Sequence, residues 1–177
     1  LVGSEMCIKD SYLNCAGRRQ IETLLENYVD SMQAVKIGRG HFFFVPRDFA
    51  ARLQVFEDFV EMLEEHNQLK RPDRDPLEVN SIYVVDDAKQ RKKMTAAFYR
   101  SVRREIAEYE ERVTHLIQSG SQSPKIMDRW VMRIQGLEEK KRNYENILKR
   151  ELTDLDEEFT SLRYLSDELR IRAAGLR

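Results

Sequence analysis

"SGSQSP", Ser119–Pro124, is the stretch on which the fold turns. Gly, Pro and three serines within six residues break a helix, and apolar periodicity runs up to the stretch on both sides. On the N-terminal side, Met94, Phe98, Val102, Ile106, Tyr109, Val113 and Leu116 recur at three- and four-residue steps. They predict one helix from Asp87 to about Gln118. Asp87 with Gln90 three residues later matches a capping box at its start.

On the C-terminal side the seam reads Met127, Trp130, Ile134, Leu137, Lys141, Tyr144, Leu148, Leu152, Leu155, Phe159, Leu162, Ser166 and Leu169. It predicts a single helix from about Pro124 to Ala174, ~75 Å long at 1.5 Å per residue. The two successive four-residue steps at Tyr144–Leu148–Leu152 read as a stutter that locally unwinds a coiled coil. Two long helices joined by a short loop fold back as an antiparallel hairpin. The second is longer by about 18 residues, an overhang of ~27 Å. That overhang must bury its seam on the N-terminal head or on a second copy. Lys141 and Ser166, polar in an apolar seam, are expected either to fix register or to mark where the helix leaves its partner.

Upstream, Ile21, Leu24, Leu25, Tyr28, Val29 and Met32 predict a helix from Ala16 to about Gln33. "VKIGRGHFFFVPRDF", Val35–Phe49, reads as a β-hairpin closed by Gly38-Arg39-Gly40 and ended by Pro46. Phe42, Phe43 and Phe44 alternate faces and are expected to build both sides of a thin core. A broad apolar stripe predicts a helix from about Asp48 to Gln68. "VNSIYVV", Val79–Val85, reads as a third strand. The expected fold is α+β and predominantly helical. Residues 1–86 form a small head with the hairpin and one further strand, and residues 87–177 form a long antiparallel coiled-coil-like arm.

Lys+Arg number 30 and Asp+Glu 31, so the net charge is −1 although 34% of residues are charged. That balance argues against a dedicated polyanion binder, and any nucleic-acid contact must come from a local patch. Cys7 and Cys15 lack metal or scaffold spacing and read as reduced thiols of a cytoplasmic protein. No apolar run is long enough to span a bilayer, so no membrane contact is expected. "LVGSEMCIKDS" lacks the basic start and apolar core of a secretory signal.

Few residues suggest chemistry. His41, His66 and His115 lie in three different elements without metal spacing. Asp86-Asp87 at a strand end could be catalytic, but the cap accounts for Asp87 and no phosphate-binding glycine loop accompanies it. No catalytic residue, cofactor or metal is assigned, and the chain reads as a non-enzyme. A basic stripe is more informative. Lys89, Lys93, Arg100 and Arg104 share one helix face, with Lys92 and Arg103 beside them. Such a face can follow a phosphate backbone. The competing expectation pairs it with Asp154, Asp156, Glu157 and Glu158 of the neighbouring helix, by the charge pairing common in coiled coils.

"GRGHFFFVPRDF", "VNSIYVVDDAKQRKKMTAAFYRSVRREI" and "NYENIL" together resemble a family of uncharacterised prokaryotic and phage proteins. Its members carry a G-x-x-Y/F-F-V-P hairpin, a strand with an acidic end and a C-terminal helical hairpin. Phe43 and Pro46 match that pattern. The resemblance implies a compact head with a helical arm and a prokaryotic or viral origin, and it transfers no activity.

The leading expectation is a self-associating interaction or assembly protein, acting on a host or replication complex if it belongs to a phage or mobile element. Trp130, Phe159, Leu162 and Leu169 are the candidate partner contacts. The alternative is a nucleic-acid-binding protein using Arg39 at the hairpin tip with Lys89, Lys92, Lys93, Arg100, Arg103 and Arg104.

Overall fold

The computed structural model describes residues 18–38, 41–67, 73, 75–120 and 123–176. The chain is α+β and predominantly helical, with five α-helices and one two-stranded antiparallel sheet among the described residues. It divides into two compact units: Leu1–Ala34 with Val45–Ser81, and Val35–Phe44 with Ile82–Arg177. In this division the hairpin strands group with the helical unit, whereas the head was expected to span residues 1–86. Val35 and Phe44 bury their side chains among Ala97, Phe98 and Tyr144, which ties the strands to that core.

The first unit holds α1 (Arg18–Ser31) and α2 (Ala50–Glu65), the latter preceded by a 3-10 turn over Arg47–Phe49. Tyr28 stacks on Phe56 with ring centroids 5.6 Å apart. Arg52 fastens the two helices: it donates to the Ser31 carbonyl at 3.1 Å, in the last turn of α1, where carbonyls lack helical donors. Its guanidinium also lies over the Tyr28 and Phe49 rings. The expected third strand is not formed. Residues 75–87 are neither helix nor strand, and Ile82 and Tyr83 are 87% and 91% exposed. Among the described residues no further strand lies beside this segment, and propensity alone does not make a ladder.

The second unit is a three-helix bundle of α3 (Ala88–Gln118), α4 (Pro124–Leu148) and α5 (Asp156–Gly175), carrying the ribbon β1 (Val35–Lys36) and β2 (Phe43–Phe44). Val35 pairs with Phe44 and Lys36 with Phe43. Alternation sends Val35 and Phe44 inward and leaves Lys36 over the Phe43 ring outside. Phe42 is 72% exposed, so only Phe44 of the three phenylalanines belongs to the core.

The single helix expected from Pro124 to Ala174 is the main correction. It ends at Leu148, where Lys149 adopts φ 53°, ψ 42° in the left-handed region. Lys149 N–H donates to the Asn146 carbonyl and Arg150 N–H to the Glu145 carbonyl, the paired closure of a Schellman motif. The chain then reverses. Lys141 pairs with Asp156 at 2.6 Å and Arg163 with Glu138, so α5 runs back antiparallel to α4. Arg103–Glu158 and Arg172–Ile117 are both 55 residues apart, which makes α5 parallel to α3. No overhang exists to seek a partner. Leu152, Leu155, Phe159, Leu162, Ser166 and Leu169 bury the same seam within the bundle.

Candidate nucleic-acid interface

From Ala88 to Arg104 the sequence carries seven basic and no acidic side chains. The apolar residues Phe98, Val102, Ile106 and Val113 rotate inward and are buried. By the 100° step of a helix, Lys89, Lys93, Arg100 and Arg104 then fall on the opposite side, with Lys92 and Arg103 flanking them. All six are exposed. Small Ala96, also exposed, interrupts them without adding bulk.

The start of this helix is well held. Asp87 Oδ1 accepts from the Gln90 N–H at 2.7 Å, as the capping pattern predicts. Asp86 is bound by Lys149, at 3.1 Å, and by Arg91. These two hydrogen bonds, Lys149's first, hold its carboxyl below the usual carboxylate pKa. Asp86 therefore neutralises cations outside the stripe, and Arg91 indeed points away from it. Asp87 is thus engaged by the helix cap and Asp86 by its two cations. Among the described residues no three His, Cys, Asp or Glu side chains come together to hold a metal ion. His66 lies at the end of α2, its Nδ1 2.8 Å from the Met62 carbonyl, and His115 lies in the last turn of α3.

The acidic cluster of α5 takes only one member of the stripe. Arg103 Nε donates to Glu158 at 3.2 Å and its Nη2 to the Asp154 carbonyl at 3.2 Å. Asp156 is drawn to Lys141 on α4 instead. Among the described residues, Lys89, Lys92, Lys93, Arg100 and Arg104 make no ion pair. Wholesale pairing of the two clusters, the competing expectation, therefore does not occur, because the chain reversal at Lys149 turns α5 alongside α3 with only its first turn beside Arg103. An open groove lined by Glu110, Asp154, Glu157 and Glu158 meets the stripe at Arg103. Arg103 also lies over the Tyr99 ring, and burial, followed by the nearby Asp154 charge, raises the Tyr99 pKa.

The other predicted contacts fare differently. Arg39 lies outside the described residues, as do Cys7 and Cys15. Phe159, Leu162 and Leu169 are buried against α3 and α4 and cannot serve a partner as the extended-arm reading required. Trp130 is half-buried, edge-on to Tyr109 at 5.4 Å with Arg133 over its face at 4.8 Å. It is a packing residue near the α3–α4 turn.

Sequence reasoning missed Lys140. The seam predicted Lys141, yet Lys140 is the buried one, 7% exposed, with Nζ 2.9 Å from Glu105 Oε1. Its apolar stem packs while its ammonium finds the carboxylate, a use of lysine that hydrophobic patterning does not register. Among the described residues no helix is long and apolar enough to cross a membrane. No curated protein and no solved structure matches the chain. A family match does span residues 10–175, and by it the chain belongs to the family of unknown function DUF6744.

Proposed function

We propose that the protein is a non-enzymatic nucleic-acid-binding protein that lays the exposed basic face of α3 along a phosphate backbone. The observation carrying this reading is the set of five exposed cations on that face without an ion partner among the described residues. Like charges gathered on one face repel each other, and nothing in the packing of α3 requires them there. Lys89 to Arg104 spans ~22 Å of helix axis, long enough to pass several phosphates of duplex DNA, which carries one charge per ~1.7 Å. The contacts would be to phosphates, which fix position and carry no sequence information by themselves. The near-zero net charge makes this face a local feature, so binding should be weak in high salt.

The reading is tested by fluorescence anisotropy on labelled 20-mer duplex and single-stranded probes at low salt. Lys89→Glu/Lys93→Glu/Arg100→Glu should lower affinity by about 100-fold, and flatten the salt dependence by about one unit of slope per residue removed. Lys125→Glu/Arg129→Glu, at the start of α4, should leave it within about threefold if contacts are confined to the stripe. All five side chains are exposed, so helicity should not change. Equal binding by wild type and the triple variant, or no complex at low salt, would sink the reading. The assembly reading has lost its original support, the overhang.

A further inference from the structure

The basic face of α3 is not an even row. Lys89, Lys92 and Lys93 form one group and Arg100 with Arg104 a second. The centres of the two groups lie ~16 Å apart along the helix at 1.5 Å per residue. Between them, residues 94–99 carry no charge, and of these only Ala96 is exposed. By the helical step Ala96 falls at the middle of the face, so a short methyl separates the two groups. Thr95, Ala97 and Phe98 are buried, and Tyr99 is half-buried with Arg103 over its ring. Arg103 itself is held by Glu158.

We infer that this face binds the backbones of both strands of a B-form DNA duplex, one cation group on each rim of the major groove. The inference rests on the phosphate-binding reading of α3 and names its substrate. The major groove is ~12 Å wide with a row of phosphates on each side, which two groups ~16 Å apart can reach. The same groups overshoot the minor groove, which is ~6 Å wide. α4 and α5 cover the other side of α3, through contacts such as Phe98–Tyr144 and Arg103–Glu158. The helix therefore cannot sink into the groove and bridges it instead. A single strand favours an unbroken cation track beside aromatic rings on which bases stack. This face has a break in its track and no exposed ring. The shallow groove of an RNA duplex presents 2′-hydroxyls, and Ala96 has no polar group to meet them. The gap also holds no side chain that reads a base edge, so binding is independent of sequence.

Anisotropy at about 20 mM salt tests it on a DNA duplex, its separate strands, the matching RNA duplex, and a DNA duplex with one strand of neutral methylphosphonates. The DNA duplex should bind at least about tenfold tighter than either single strand or the RNA duplex. Neutralising one strand removes about two or three of the five phosphate contacts and should weaken wild-type binding by about 100-fold. Arg100→Ala/Arg104→Ala keeps only the lysine group, which needs one strand. It should bind the two DNA duplexes within about fivefold of each other. Alanine favours the helix, so helicity should be unchanged. Wild type that tolerates the half-neutral duplex within about fivefold overturns the inference. So does a double variant that discriminates as strongly as wild type, or equal binding of single strands or RNA. Those three results leave the phosphate-binding reading standing, whereas no binding to any probe removes both.

Discussion

Tyr144→Ala is expected to destabilise the helical unit by about 4 kcal/mol, near the middle of the range for deleting a buried aromatic ring. Tyr144 is 1% exposed at the junction of α3, α4 and the β-ribbon. Its ring lies 4.5 Å from Phe98 and edge-on to Phe44 at 6.1 Å. Its hydroxyl donates a long bond, 3.5 Å, to the Phe44 carbonyl. Burial, followed by the Glu105 charge, pushes its pKa far up, so it stays neutral and its role is packing and orientation. The melting temperature should fall by about 10 °C at the 2–4 °C per kcal/mol typical of this chain length. Amides of Val35, Lys36, Phe43 and Phe44 should exchange faster, because the ribbon loses its seat. Tyr144→Phe keeps the ring and should cost about 1 kcal/mol. A loss below about 2 kcal/mol for Tyr144→Ala would mean that the ribbon does not dock there.

Glu105→Gln is expected to cost about 3 kcal/mol, because it leaves the Lys140 ammonium nearly buried without its counter-charge. The pair is 2.9 Å apart, with the Ser101 hydroxyl donating to the same carboxylate at 3.4 Å. A Coulombic pair in the interior offsets its own desolvation only while both members are present. Glu105→Leu/Lys140→Leu should therefore recover most of the stability or exceed wild type, whereas either single change should not. Chemical denaturation of the four proteins gives the coupling directly. Glu105→Gln within 1 kcal/mol of wild type would show the pair to be solvated.

How much of this could be read beforehand differs by element. The start of α3 was legible because capping is local: Asp87 and Gln90 lie three residues apart and meet as their types require. The seam was legible through Leu169, and Phe159, Leu162, Ser166 and Leu169 are all buried. Its division into two helices was not. The reversal places Lys, not Gly, in the left-handed position, so the residue that most often marks such an end was missing. Leu148, Leu152 and Leu155 also keep helical spacing through the turn, which made the reversal look like a stutter. The third strand was read from propensity, but pairing needs a neighbour and Ile82–Val85 has none among the described residues. At the candidate site the spacing of Lys89, Lys93, Arg100 and Arg104 was enough to put them on one face. Their lack of partners depended on where α5 runs, and that followed from the unread turn at Lys149.

The salt dependence of duplex binding tests the central claim most directly. For about five phosphate contacts, log K should fall against log salt with a slope near −4.5, an affinity loss of about 500-fold between 50 and 200 mM. Affinity that stays flat over that range, or no complex at 50 mM, would contradict a phosphate-binding face on α3.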